Sequence, residues 1–226
     1  RQIEADYYVL LNSDIEVTPH WIDPVIELMD SDENIAACQP KILSYFDKTK
    51  FEYAGAAGGY IDKYGYPFCR GRVFQELETD NGQYDDVKEI FWATGACMFV
   101  RASLYHELGG LDDDFFAHME EIDLCWRLKN AGYKIMYCPE SKIYHIGGGT
   151  LPKSSARKTY LNFRNNLSLL MKNLPQGKVF GTIFYRFFLD WVAAFKFLCD
   201  GSFADFFAVT RAHFSFLRHL PYLKKK

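Results

Sequence analysis

The sequence has no Cys-x-x-Cys and no closely spaced pair among its 6 cysteines, Cys38, Cys69, Cys97, Cys125, Cys138 and Cys199. That excludes the spacing of a disulfide framework. Most sit in apolar runs such as Ala96-Cys97-Met98-Phe99-Val100, so they read as reduced, buried small hydrophobes of a cytoplasmic protein. No apolar run reaches 18 residues, which argues against a membrane-spanning helix. No secretory signal pattern and no internal repeat is visible. Acid is scarce in the last third: after residue 150 there is no glutamate, and 3 aspartates face 13 Lys/Arg.

What is there is globular. Of 226 residues, 49% are hydrophobic and 24% charged, which excludes a disordered chain, and 17% are aromatic. The net charge of −3 hides an asymmetry, because residues 1–150 hold 13 Lys/Arg against 26 Asp/Glu. An acidic body (1–150) joined to a basic tail (151–226) points to an anionic partner for the tail. Residues 178–226 contain 14 aromatics, with Arg186, Asp190 and Lys196 interspersed. Such a pattern fits helices lying in a membrane interface, the basic excess adding attraction to anionic lipid. It fits a core-packing helical hairpin as well. The apolar character of the basic region and the acidic body argue against nucleic acid.

Tyr7-Tyr8-Val9-Leu10-Leu11 reads as a strand buried on both faces, ending at Asn12-Ser13-Asp14. Thr18-Pro19 predicts a helix start, although Pro24 is a competing candidate for the first turn. Ile35 to Cys38 is the next strand. This strand-helix-strand rhythm is that of a doubly wound α/β sheet. Asp62-Lys63-Tyr64-Gly65 reads as a hairpin turn, and residues 78–89 as an acidic surface loop. Ala96–Val100 is a strand, and Ser103–Leu108 a helix closed by Gly109. Glu120–Asn130 is a helix, Tyr133–Tyr137 and Lys142–His145 are short strands, and Gly147-Gly148-Gly149 is a flexible break. Tyr160–Leu174 is a helix.

Three constellations carry possible chemistry. Asp14, at the C-terminal end of a buried strand, lies where α/β folds bind ligands and can hold Mg²⁺ or Mn²⁺; Asn-Ser-Asp is equally a plain turn. Glu120, Glu121 and Asp123 open a helix. Crowded carboxylates raise one another's pKa and can supply a general base, but the helix dipole alone also favours acids there. His145 precedes three glycines and can reach a metal or a diphosphate, or serve as a structural histidine before a hinge.

Leu10-Leu11-Asn12-Ser13-Asp14 resembles the metal-binding Asp motif of family 2 glycosyltransferases. The series Trp92-Ala93-Thr94-Gly95-Ala96-Cys97, Gly109-Gly110-Leu111-Asp112, Phe115-Phe116, Glu120-Glu121-Ile122-Asp123-Leu124-Cys125, Ala131-Gly132-Tyr133 and Tyr144-His145 is similar, in order and spacing, to that family's acceptor half. The likeness covers residues 5–165, and its rhamnosyltransferase-like subset is the nearest in pattern. It implies a GT-A fold, a Rossmann-like α/β sandwich with a helical C-terminal tail. It also implies an inverting transfer of sugar from a nucleotide-diphosphate donor to a lipid-linked saccharide acceptor in surface polysaccharide assembly. Asp14 would bind Mg²⁺ or Mn²⁺, with Asn12 and His145 as further candidates. Glu121 would be the base; because the family usually has Glu-Asp and this chain has Glu-Glu, Glu120 and Asp123 remain candidates. Trp92, Thr94 and Gly95 would line the acceptor side, and Lys158 and Arg164 would contact a diphosphate or lipid-linked phosphate. Only eleven residues precede Asn12, so a preceding nucleotide-binding portion and an exposed sheet edge are expected. The protein would act on the cytoplasmic face of the membrane. A nucleotidyltransferase or a non-catalytic membrane scaffold with the same fold are the alternatives.

Overall fold

The structure, a computed structural model, describes residues 4–53, 55–74, 76–147 and 155–225. Gly148, Gly149 and Thr150, and with them most of the expected glycine break and the expected boundary at 150, lie outside the described residues. The strands are β1 (Tyr7–Leu11), β2 (Ile15–Val17), β3 (Ile35–Ser44), β4 (Gly59–Ile61), β5 (Pro67–Cys69), β6 (Arg72–Val73), β7 (Glu76–Leu77), β8 (Lys88–Ile90), β9 (Cys97–Arg101) and β10 (Lys134–His145). The helices are α1 (Asp23–Asp30), α2 (Ala102–Glu107), α3 (Glu120–Asn130), α4 (Ala156–Asn173), α5 (Gln176–Cys199) and α6 (Phe203–Leu223), with a 3₁₀ turn at Asp113–Phe115.

The central sheet runs β1-β9-β3-β10-β2, with β8 pairing to the first part of β10. Only β3 and β10 are parallel; the other pairs are antiparallel. The sheet is therefore mixed rather than uniformly parallel. Alternate residues feed two cores, as the pleat requires. Cys97 and Phe99 join Val25, Met29, Cys38 and Ile143 under α1, while Met98 and Val100 join Ala37, Leu128 and Tyr137 under α3. The result is a three-layer α/β/α sandwich. Tyr7–Leu11 departs from the expectation of a doubly buried strand. It is the sheet's edge, and Val9 and Leu11 are exposed.

Several local expectations are corrected. Pro24, not Pro19, occupies the first turn of α1, and Thr18 instead donates to the Lys142 carbonyl at 2.8 Å. The strand from Ile35 runs on to Ser44 through Pro40. Pro40 sits where β10 bulges between Cys138 and Lys142, while β9 pairs only with Ala37 and Cys38, so an N–H is dispensable there. The two short strands expected at 133–145 are one bulged strand. The acidic loop at 78–89 is more than surface, because its Asp80 and Asp85 both bind the ammonium of Lys41, which is fully buried in β3. Cys199 is exposed, unlike the other five cysteines. The helix Glu120–Asn130 and the Asp62–Gly65 turn stand as read: Gly65 donates to the Asp62 carbonyl at 3.0 Å, with a φ of +83° that favours glycine.

The three C-terminal helices pack on one another and on the sandwich. Leu167 of α4 and Phe216 of α6 share a small core with Ile183 and Phe187 of α5. A buried polar network ties them to the β4–β5 turn. The Arg186 guanidinium, 2% exposed, donates to the Tyr64 carbonyl and to Asn166, pairs with Asp190, and lies 3.6 Å over the Tyr66 ring. Asp190 also takes His213 at 3.1 Å and the Tyr66 hydroxyl at 3.2 Å. Among the described residues no helix is long and apolar enough to cross a membrane.

Candidate active site

The chain enters α3 through an unusual segment. Phe116, His118 and Met119 all have positive φ, at +64°, +68° and +76°. Such backbone persists only where the surroundings dictate it. The clamp comes from α4. Asn165 Nδ2 donates to the carbonyls of Phe115, Ala117 and His118 at 2.8–3.0 Å, and Arg164 Nη2 donates to those of Asp114 and Phe115 at 3.0 Å.

Two glutamates follow on the first turn of α3. One oxygen of each, Oε2, is sealed from solvent and has no hydrogen-bond partner. Burial, then the charge of Glu120, push the Glu121 carboxyl up to about 7, against the backbone N–H groups of Glu121, Ile122 and Gly95 that favour its anion. Burial also raises Glu120. Asp123 is placed differently. It is fully buried and accepts from Arg127 at 2.8 Å, Lys172 at 2.9 Å and Asn173 at 2.8 Å. Its oxygens bind α3 to α4 and are not presented with the glutamates.

A second group forms where β1 and β10 end. His145 Nε2 lies 3.3 Å from Asp14 Oδ1 and 3.4 Å from Asn12 Nδ2, and its Nδ1 lies 3.4 Å from Glu52 Oε1. Burial opposes the imidazolium, but Glu52 and Asp14 outweigh it and raise the His145 pKa above its ordinary value. Among the described residues no three His, Cys, Asp or Glu side chains are grouped to hold a metal by themselves. One carboxylate, one imidazole and one amide nevertheless fit a hard divalent ion that takes most of its ligands from a substrate. Glu52 behind the imidazole is the carboxylate that orients such a histidine. Glu52 was not legible from the sequence. It lies in a Gly-rich stretch with no motif around it and meets His145 only through the fold.

The Thr94-Gly95-Ala96 turn joins the two groups. Asn12 donates its N–H to the Ala96 carbonyl at 2.9 Å, and a side chain on Gly95 would meet Glu121 at 3.8 Å. Trp92 and Thr94 are buried supports of this turn. Trp92 stacks directly on Gly59 and donates its indole N–H to the Tyr60 carbonyl at 2.8 Å; Thr94 packs on Gly55, and its N–H is held by Gln39 at 3.0 Å. Of the residues expected to line the acceptor side, Gly95 borders Glu121. Lys158 stands near His118: burial and then the Lys158 charge lower that imidazole's pKa, and His118 Nε2 is itself buried without a partner. His118 is a second residue with no role assigned from the sequence, though it stands two residues before the acidic run.

The glutamates at the start of α3 and the Asp14–His145 pair sit on a mixed α/β/α sandwich, which is a GT-A-like fold. The crystal structure of GalNAc-T7 with UDP, GalNAc and Mn²⁺ has this fold in common with the chain, at a TM-score of 0.53 and 17% identity over 74% of this chain and 31% of that one. The description Glycosyltransferase like family 2 matches residues 1–165, and the chain belongs to that family. It is similar to N-acetylglucosaminyl-diphospho-decaprenol L-rhamnosyltransferase of Mycobacterium tuberculosis, 25% identical over 62% of this chain and 47% of the relative. It is also similar to rhamnosyltransferase WbbL of Escherichia coli, 26% identical over 64% and 54%. The chain thus spans about half the length of these relatives.

Proposed function

We propose that this chain forms the acceptor half of an inverting glycosyltransferase. It would move a sugar from a nucleotide-diphosphate donor to a lipid-linked saccharide in surface polysaccharide synthesis. The observation that carries the reading is Glu121: a carboxylate with an orphaned oxygen and a pKa near 7, joined by one tight turn to the Asp14–His145 pair. In this reading Glu121 accepts the proton of the acceptor hydroxyl as that oxygen bonds to the anomeric carbon and the nucleoside diphosphate leaves. A pKa near 7 suits a base that must be unprotonated at the start and protonated at the end. Burial, and after it the charge of Glu120, keep that pKa high. Asp14 and His145, with Asn12 beside them and Glu52 behind, would hold Mg²⁺ or Mn²⁺. When bound, that ion supplies charge stabilisation for the departing diphosphate. Gly95 leaves room for the acceptor against Glu121, while Trp92 and Thr94 keep the turn rigid. Arg164 and Asn165 hold the loop that aims α3, and Asp123 anchors α3 to α4.

The tail would rest on the cytoplasmic face of a membrane. α5 exposes Phe180, Phe184, Phe188 and Phe195 at near-helical spacing, and α6 exposes Phe203, Phe207 and Phe214. Two aromatic stripes on a strongly basic segment suit the interface of an anionic bilayer. The lipid-diphosphate acceptor named for the mycobacterial relative would be met on that surface.

The test uses the full-length protein with a panel of UDP-, GDP- and dTDP-sugars and Mn²⁺, comparing wild type with Glu121→Gln. Metal-dependent nucleotide release from one donor, lost in the variant with donor binding retained, supports the reading. Donor binding without release for every donor and acceptor would point to the scaffold.

A further inference from the structure

We infer that the groove between α4 and α6 is a subsite for a diphosphate group, and that Arg157 and Arg211 are its donors. The groove encloses about 480 Å³ and is lined by Phe116, Arg157, Tyr160, Arg164, Phe207 and Arg211. Its three guanidinium groups rest on rings. Arg157 lies 5.0 Å from the Phe116 centroid, and Arg211 and Arg164 lie 5.4 Å and 5.6 Å from the Tyr160 centroid. A cation held over a ring is favoured there by the ring's quadrupole and keeps N–H groups free for a ligand.

No carboxylate among the described residues lines the groove. α4 contains no acidic residue, and the single one in α6, Asp205, is engaged by the Thr159 hydroxyl at 2.6 Å. Among the described residues no carboxylate pairs with Arg157, Arg164 or Arg211. The contrast is with Lys41, Arg127, Lys172 and Arg186, each of which is matched to an aspartate. Arg164 spends its Nε and Nη2 on Asn165 and on the loop before α3. That leaves Arg157 and Arg211 to bind an anion from two different helices. Ala156, the first residue of α4, also lines the groove, and Ser155 makes no side-chain cap, so the positive end of an 18-residue helix faces the same space. Two guanidinium forks and a helix N-terminus match the oxygens of a diphosphate.

The source of that diphosphate rests on the transferase reading. Phe116 lines the groove and belongs to the segment that leads into α3, whose first turn carries Glu120 and Glu121. Phe207, which lines the groove, is exposed and belongs to the aromatic stripe of α6. A lipid-linked acceptor would thus seat its diphosphate between Arg157 and Arg211, its lipid along the stripe and its sugar toward Glu121. The donor diphosphate would instead lie at Asp14 and His145.

The test is direct titration of a short-chain alkyl diphosphate into the full-length protein, which needs no turnover. The R157A/R211A double variant is compared with wild type and with R218A, an exposed arginine of α6 outside the groove. The dissociation constant is expected to rise on the order of tenfold or more in the double variant and to stay at the wild-type value in R218A. R157K/R211K, which keeps charge but loses the fork, should recover part of the affinity and guards against a folding defect. Unchanged alkyl diphosphate binding in a folded double variant would overturn the inference. So would loss of binding to phosphatidylglycerol vesicles with alkyl diphosphate affinity intact, because the arginines would then serve bilayer headgroups. If binding weakens as expected but no donor is ever turned over, the subsite stands and the transferase reading fails. If transfer occurs and the double variant binds normally, the reverse holds.

Discussion

Glu121 and Asp123 stand two residues apart on α3 and meet opposite surroundings. Asp123 faces α4 and has three nitrogen donors within 2.9 Å. Glu121 faces the Gly95 turn, beside a second glutamate, with one sealed oxygen that nothing matches. A related contrast separates the buried Arg186–Asp190–His213 network, where charges are matched, from the α4–α6 groove, whose Arg157 and Arg211 are exposed and have no carboxylate partner among the described residues. A buried charge that has partners contributes to holding the fold. A buried charge without them costs stability and is retained where a ligand or a proton completes it.

The sharpest break of this comparison is a pair of substitutions. Glu121→Gln should cut the transfer rate on the order of 10³-fold, about 4 kcal/mol of barrier, without lowering the unfolding free energy. Asp123→Ala should do the opposite in kind. Stripping the partner from Arg127, Lys172 and Asn173 should cost about 3 kcal/mol or more in urea denaturation. If both variants lost stability equally, the division into a structural and a chemical carboxylate would be wrong.

A smaller effect follows from the sign of the Glu121 shift. Its folded pKa, about 7, exceeds the ordinary carboxylate value of 4.5. Between those two values the folded protein holds a proton that the unfolded chain has released. Stability from this group is therefore full below pH 4.5 and falls as pH rises to 7, by about 2 kcal/mol once partial solvation is allowed for. His145, also raised, adds a loss in the same direction as pH rises through its folded value. Denaturation curves of wild type and Glu121→Gln should therefore diverge between pH 4.5 and 7, the variant gaining relative stability. Activity should move the other way, rising with pH through about 7 as the base is freed. Parallel stability curves would sink the assignment of the raised pKa to Glu121.

Much of this contrast could not be read along the chain. The helix Glu120–Asn130 was legible because its periodicity and its closing Gly132 are local. So was the Asp62–Gly65 turn, while the grouping of Asp14 with His145 came only from the family resemblance. The fate of Asp123 was not, because its partners Lys172 and Asn173 lie some fifty residues away on α4. Glu52 and the buried Lys41–Asp80–Asp85 cluster are likewise made by tertiary pairing. Tyr7–Leu11 misled because an apolar run looks alike at a sheet's edge and at its centre. In the tail, composition could not decide between interface and core, and the helices divide the residues. Ile183, Phe187 and Phe216 pack inward, and Phe180, Phe184 and Phe188 face out.

Gly95→Ala is the finest probe of the unmatched side. Gly95 has no positive φ, and a Cβ there would approach Glu121 no closer than 3.8 Å, ordinary van der Waals contact. Stability should change by no more than about 0.5 kcal/mol. Gly59, the support of Trp92, is the counterexample, because a Cβ would fall 2.1 Å from the indole and could not be accommodated. The added methyl at position 95 takes water from the Glu121 carboxyl, and desolvation raises a carboxylate pKa. The activity profile should therefore shift upward by a few tenths of a pH unit, with the plateau rate reduced as acceptor space narrows. A folded variant whose profile keeps its midpoint would mean that solvent beside Gly95 does not reach the base, and that the acceptor approaches Glu121 from another side.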